Sequence, residues 1–191
     1  SLQEVANHRE RSTVMDDNNR YSQSDRRGKS KQSFKKKEKR TPEKKLYAPA
    51  NGTILPLSNV SDPVFAQKML GEGVAIKVDG DTIYSPCFGT VVMISPTKHN
   101  IGLENEFGDQ ILVHIGMDTA AYNGKGFEVL VTEGQKVRPG LPMVKLDRKY
   151  FDFQNADLTT PMTITNQEQG MYRVLEGENA VAGKTPVMER R

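Results

Sequence analysis

The sequence predicts an all-β fold: a compact antiparallel β-sandwich of short strands with an internal pseudo-repeat and one or two short helical turns. Three observations carry that expectation. From Leu46 onward, short apolar runs are punctuated by Gly, Pro, Asn and Asp roughly every 8 to 12 residues, the spacing of a sandwich or barrel. The run "QILVHIG" at 110–116 alternates with period 2, placing Ile111, Val113 and Ile115 on one face and Leu112, His114 and Gly116 on the other. Finally, "YAPANGTILPLS" from Tyr47 is echoed by "YSPCFGTVVMIS" from Tyr84. Two copies are too few for a solenoid, but they fit a pseudo-symmetric sandwich built from two similar hairpins.

Taken in order, residues 1–45 come first and differ from everything after them. They hold 14 Lys or Arg against 7 Asp or Glu, whereas residues 46–191 hold 13 against 17. The overall charge of +3 therefore averages a basic arm of +7 and an acidic segment of −4. The arm has scattered apolar residues and no sustained period, so burial cannot repay the entropy of ordering it. It reads as a disordered interdomain linker, and His8 within it receives no role. Its run "KSKQSFKKKEKR" has a single aromatic, Phe34, which gives little for a nucleic acid to stack on.

Residues 46–191 read as the folded domain. Strands are predicted at 52–57, 73–79, 89–95, 100–105, 110–116, 127–131, 141–147 and 162–166. Helical turns are predicted at 62–70 and 147–156. Pro49 and Pro86 fix the lead into the first strand of each repeat, and Gly52 and Gly89 permit the close approach that follows. The one cysteine, Cys87, cannot form an intrachain disulfide, and there is no signal-peptide pattern and no apolar run of spanning length. A reducing compartment and a buried, unreactive thiol follow.

His114 is the residue that asks for a function, since Gly116, Asp118 and Thr119 follow it at once. A neutral imidazole is a nucleophile when a hydrogen bond at one ring nitrogen fixes its tautomer, and a Gly-containing strand end can supply the carbonyl. The turn "NEFGD" returns the chain so that His99 and His114 become neighbours. With the Thr97 hydroxyl they form a candidate anion-facing cluster, in which one imidazole is the nucleophile and the other the stabiliser. Unrelated structural histidines and a metal pair compete with that reading. A zinc site is short of ligands, since it needs at least three from the protein: His99 and His114 supply two, Asp118 is close in sequence, and Cys87 has no partner. Only a site completed by another protein is left. No GxxxxGK[ST] loop is present, and "YNGKGF" at 122–127 reads as a β-turn, so no nucleotide cofactor is expected.

The segments "VFAQKMLGEGVAI", "TKHNIGL", "ILVHIGMDT", "GKGF" and "EGQKV" together resemble the glucose-type enzyme IIA domains of the bacterial phosphoenolpyruvate-dependent sugar phosphotransferase system, over about Lys45 to Met188. The resemblance implies an antiparallel β-sandwich with a shallow apolar site and a phosphohistidine intermediate formed without metal or cofactor. By it, His114 accepts phosphate at Nε2 from the phosphohistidine of the carrier protein HPr and yields it to a cysteine of an enzyme IIB domain. His99 hydrogen-bonds the phosphoryl group, Thr97 orients that histidine, and the Gly116 carbonyl holds the His114 Nδ1 proton. Val64, Phe65, Met69 and Leu112 form the apolar rim on which HPr docks, with Asp118 at its edge. The basic arm and the start at Ser suggest the C-terminal piece of a longer protein, tethered through residues 1–45 to a membrane permease at the inner face of the cell membrane. The IIB signature is absent, and Cys87 in "YSPCFGT" is not it.

Two other functions share these residues. In a phosphorylation-dependent regulatory domain of a sugar transporter, the same phosphate would switch contacts by adding charge to an apolar face. In a biotin or lipoyl carrier, "EGQKVRPGLPMVKLD" would present Lys145, but there is no Met-Lys-Met turn and Lys145 falls within a predicted strand.

Overall fold

The computed structural model describes residues 39–191; residues 1–38, with His8 and most of the predicted linker, lie outside the described residues. The compact unit runs from Arg40 to Arg191. Among the described residues fourteen strands form three sheets, with every ladder antiparallel. The largest has the order β13 (Asn179–Ala180), β2 (Gly52–Pro56), β3 (Glu72–Val78), β11 (Thr159–Ile164), β7 (Gln110–His114), β6 (Asn100–Asn105), β5 (Gly89–Ile94), β9 (Lys136–Val137). One small sheet is β1 (Lys45–Tyr47), β14 (Pro186–Arg190), β12 (Tyr172–Val174). The other is β4 (Thr82–Tyr84), β10 (Pro142–Leu146), β8 (Phe127–Val129).

All eight strands expected from the sequence are present. The largest displacement is in β11: expected over 162–166, it runs Thr159–Ile164, with β3 alone as its partner through Pro161. Six strands went unpredicted, β1, β4, β9, β12, β13 and β14, because two to five residues hold too little alternation to register. The helical turns are shorter than expected, α1 at Pro63–Ala66 and α2 at Arg148–Phe153. Each opens on an aspartate, Asp62 and Asp147, whose carboxylate accepts a backbone N–H of the first turn.

The repeat is visible in the hydrogen bonds. Tyr47 N–H donates to the Pro86 carbonyl at 2.8 Å, and Tyr84 N–H donates to the Pro49 carbonyl at 2.7 Å, so the two copies exchange equivalent bonds. Gly52 and Gly89 occupy matching positions at the start of β2 and β5. A Cβ there would lie 2.0 Å from the Lys77 carbonyl oxygen and 2.2 Å from that of Glu104, so only glycine lets the paired strands close.

One core is shared by the three sheets. Leu46, Val187 and Met188 come from the first small sheet, Ile83, Met143, Val144 and Leu146 from the second, and Ile76, Ile101, Leu103, Ile111, Val113 and Met162 from the large one. Each such side chain stabilises the fold by about 1.5–3 kcal/mol on leaving water. Cys87 belongs to this core, and burial pushes its thiol up to about 12, which removes it from nucleophilic chemistry at neutral pH. A second cluster of Leu57, Val60, Phe65, Ala75 and Met117 covers part of the opposite face of the large sheet.

The β6–β7 turn is held by a buried carboxylate. Asp109, fully buried, accepts from Tyr172 Oη, Arg190 Nε at 2.8 Å, Gln167 Nε2 at 2.6 Å and Asn105 Nδ2 at 3.3 Å. Burial alone would push its carboxyl up; the bonds from Arg190, Tyr172 and Asn105 outweigh that and hold it below the ordinary value. Next to this turn, Arg40 donates to both carboxylate oxygens of Glu106 at 2.6 and 3.1 Å and lies 3.5 Å above the Phe88 ring. Among the described residues, contacts with the domain therefore reach back to Arg40, upstream of the boundary expected at 45/46.

Candidate phosphoacceptor site

The opposite end of the same hairpin carries the two histidines. His114 closes β7 and has Asn100, the first residue of β6, as its register partner. Asn100 turns its own backbone toward Ser95: the Ser95 N–H donates to its carbonyl at 3.1 Å, and its N–H donates to Ser95 Oγ at 3.1 Å. Lys98 sits at a left-handed φ of 61°, a conformation that costs a non-glycine residue. The bend carries His99 onto the face that strand alternation gives to Asn100 and His114. Its ring centroid is 5.0 Å from that of His114, at 82°.

His114 Nδ1 lies 2.8 Å from the Gly116 carbonyl oxygen. A carbonyl only accepts, so Nδ1 carries the proton and Nε2 keeps its lone pair. Gly116 reaches back because its φ is 75°; a Cβ there would lie 2.5 Å from Thr119 Cγ2 and 2.9 Å from the Asp157 carbonyl oxygen. The loop is pinned by Ile115 N–H to the His99 carbonyl at 2.6 Å, Met117 N–H to the Asp157 carbonyl at 2.8 Å, and the Thr119 hydroxyl to the Ile115 carbonyl. Gly116 and Thr119, adjacent to the histidine in sequence, thus set the ring's orientation.

The second imidazole is held at both nitrogens. Thr97 Oγ1 is 2.6 Å from His99 Nδ1, and Asn100 Nδ2 is 3.0 Å from His99 Nε2. Burial lowers the pKa of His99 below its ordinary 6.5. The pKa of His114 is lowered too, by burial first and by proximity of His99 second, against upward pulls from the Gly116 bond and Asp62. Both rings are therefore neutral at pH 7, the state in which an imidazole attacks.

Among the remaining residues singled out from the sequence, Val64 and Met69 are exposed, Leu112 is half-buried on the histidine face, and Asp118 is exposed at a left-handed φ of 56°. Phe65 is only 3% exposed, with its ring centroid 4.9 Å from that of His114. It forms the wall behind the imidazole, not the rim. Asn100 and Asp62 were missed. Counting residues back from the turn at 105–109 would have placed Asn100 opposite His114. Lys145 lies in the middle strand of a small sheet, paired to Thr82 on one side and Glu128 on the other, which leaves no arm to swing. Among the described residues no three His, Cys, Asp or Glu side chains gather to hold a metal, and no helix is long and apolar enough to cross a membrane. A cavity of about 510 Å³ lies away from the histidines, beside Asp81, Glu128, Lys145 and Arg148.

Residues 44–170 match the sequence profile described as phosphoenolpyruvate-dependent sugar phosphotransferase system, EIIA 1. The chain is 41% identical over 146 residues to the PTS system glucose-specific EIIA component of Staphylococcus epidermidis, covering 76% of this chain and 88% of that protein. Among solved structures it is similar to glucose permease IIA from Mycoplasma capricolum, with a TM-score of 0.69 and 35% identity, covering 75% of this chain and 93% of the other.

Proposed function

Starting from the fact that the chain belongs to the EIIA 1 family of the phosphoenolpyruvate-dependent sugar phosphotransferase system, we propose that it relays a phosphoryl group through Nε2 of His114, from phosphohistidine on HPr to a cysteine of an enzyme IIB domain. The observation that carries the reading is the bond from His114 Nδ1 to the Gly116 carbonyl. It fixes the proton on one nitrogen and leaves the other as nucleophile. In the forward step the Nε2 lone pair attacks phosphorus in line, the P–N bond of the donor histidine breaks, and that nitrogen keeps the electron pair and takes a proton from water, while the His114 ring, which keeps its Nδ1 proton, carries the positive charge. No new charge has to be created by a metal or nucleotide, since the donor is already a phosphoramidate. Positioning and stabilisation of the phosphoryl oxygens are what the site supplies.

HPr docks on the apolar surface of Val64, Met69 and Leu112, with Asp118 at its edge to meet basic residues around the donor histidine. Residues 1–45 tether the domain to a membrane-embedded permease at the cytoplasmic face. Arg40 supports that arrangement, since it is bound to Glu106 at the far end of β6 from Asn100. Six residues of strand place about 17–20 Å between the two, so the tether enters well away from the imidazoles. Titration of the 15N-labelled chain with HPr tests the partner and the surface together. Amide signals of Val64, Met69, Leu112 and His114 should move, while shifts confined to residues 29–45 would show the arm to be the binding element and the relay reading wrong.

A further inference from the structure

One buried hydroxyl near the site stands where the strand pattern calls for an apolar side chain. Thr160, Met162 and Ile164 share the face of β11 that alternation turns into the core, and all three are buried. A hydroxyl in such a place costs free energy unless it is hydrogen-bonded. Thr160 is bonded twice. Its Oγ1 donates to the Leu158 carbonyl at 3.0 Å, and because a carbonyl only accepts, the hydroxyl proton is committed there. The oxygen then accepts from Gly116 N–H at 3.4 Å. The ladder between β11 and β7 reaches only to Met162 and Val113, and beyond it the Thr160 hydroxyl takes over.

Gly116 is thereby gripped on both of its peptide planes by the segment that follows α2. On one side its own N–H is held by Thr160. On the other the Met117 N–H, in the same peptide as the Gly116 carbonyl, donates to the Asp157 carbonyl at 2.8 Å. The two planes meet at a Cα with a φ of 75°, so together they fix where the Gly116 carbonyl points. It points at His114 Nδ1, 2.8 Å away.

We propose that Thr160 is a positioning residue for the relay through His114, on which this inference rests: its hydroxyl holds Gly116 in the left-handed conformation that aims the carbonyl at Nδ1, and so selects the tautomer whose Nε2 is the nucleophile. Without the hydroxyl, Gly116 N–H is a buried donor that has lost its acceptor. The peptide gains by turning toward another one, and that turn moves the carbonyl away from Nδ1. The imidazole then divides between its two tautomers, and in one of them Nε2 carries the proton and cannot attack. The same carbonyl accepts Nδ1–H from the positively charged, phosphorylated ring, where the bond is charge-assisted. The grip on Gly116 therefore acts before and after the phosphoryl group arrives.

Thr160→Val keeps the shape of the side chain and removes the hydroxyl, while Thr160→Ser keeps the hydroxyl. In the full chain labelled with 15N in the imidazoles, long-range proton–nitrogen spectra should show His114 with a protonated Nδ1 and a bare Nε2. In Thr160→Val the two nitrogens should move toward a common intermediate shift, and in Thr160→Ser they should return to the unaltered values. Rapid-quench transfer from phosphorylated HPr should follow the shifts. Its maximal rate should fall by about 10-fold to 100-fold in Thr160→Val, the scale of a misplaced reacting group, and recover in Thr160→Ser. The half-saturating HPr concentration should stay the same, since Thr160 is fully buried. If Thr160→Val does not fold, amide exchange in the unaltered chain takes its place: Gly116 N–H should be as protected as the amides of β7, and exchange at the rate of an exposed loop would overturn the grip. A folded Thr160→Val with unaltered His114 shifts, whatever its transfer rate, would overturn the positioning role and leave the relay standing, as would a Thr160→Ser that recovers neither shifts nor rate. An unaltered chain with the expected His114 tautomer that takes no phosphate there would sink the relay, and the role of Thr160 with it.

Discussion

The two ends of the β6–β7 hairpin are both polar and largely buried, and they are built on opposite plans. At the turn, every charge is answered: Asp109 takes hydrogen bonds from four side chains, and the Arg190 that bonds it also lies 4.7 Å from the Phe107 ring. At the open end, valences are left over. His114 keeps the Nε2 lone pair, and the side-chain oxygens of Asn100 and of Thr163, which pairs with Leu112 next to the site, are buried without partners. The first arrangement ties β14 and β12 to the large sheet and stays charged. The second is neutral, and in the proposed relay it is the end that receives the phosphoryl group. Saturation marks a polar group that holds the fold, and incompleteness marks one that handles a ligand.

The contrast can be broken from either side. Replacing His114 by Ala should abolish incorporation of phosphate from phosphoenolpyruvate through enzyme I and HPr, with the melting temperature little changed, since the ring is only half-buried at the end of its strand; radiolabel transfer and thermal unfolding measure the two effects. Asp109→Ala should do the reverse. It leaves the Arg190 guanidinium and the Tyr172 hydroxyl without their acceptor, costing about 3–5 kcal/mol as for other broken buried pairs, while the protein that remains folded still accepts phosphate. Urea unfolding together with labelling below the transition would check both. A stable Asp109→Ala protein with a dead His114 would erase the distinction between the two ends.

Smaller effects sharpen it. His99→Ala should leave labelling of His114 detectable but slow transfer by about 100-fold to 1,000-fold, the scale of losing one donor to a developing charge; rapid-quench kinetics would read it. Acid should act on the two ends in different ranges. Both histidines have folded pKa values below 6.5, so as pH falls through about 6.5 the unfolded chain takes up protons first and stability declines. The slope is at most about 1.4 kcal/mol per pH unit for each histidine, and it levels off below their folded values. Asp109 has its folded value below 3.8, so its contribution is intact above about pH 3.8 and is lost as pH falls through the depressed value. In His99→Ala/His114→Ala the decline just below pH 6.5 should vanish and the more acidic one remain, as followed by urea midpoints across pH.

Legibility in the sequence follows the same physical division. Strands of five to seven residues, such as β3, β6 and β7, announce themselves by their apolar runs and bounding turn residues, and the echo between Tyr47 and Tyr84 is matched by an exchange of backbone bonds. Strands of two or three residues, such as β9 and β13, exist only because a neighbour offers a ladder, and no local pattern encodes that. The His114–Gly116 bond was legible because imidazole and acceptor are two residues apart. Asn100 was not, since its partnership with His114 depends on register. The burial of Phe65 was hidden for a related reason: α1 is only four residues long, and which side of so short a helix meets the sheet is decided by Leu57, Val60 and Met117, contributed by other segments. The Asp109 network joins positions 105, 109, 167, 172 and 190, and nothing in the local sequence of any of them points to the rest.

The claim that the open end is the phosphoacceptor is tested most directly by asking which nitrogen carries phosphorus. The 15N-labelled chain, phosphorylated by phosphoenolpyruvate, enzyme I and HPr, should show phosphorus coupled to Nε2 of His114, with Nδ1 of the same ring still protonated toward Gly116, and the linkage should be lost in acid and survive in base. Phosphorus on Nδ1 of His114, on His99, or in an acid-stable ester would contradict the account.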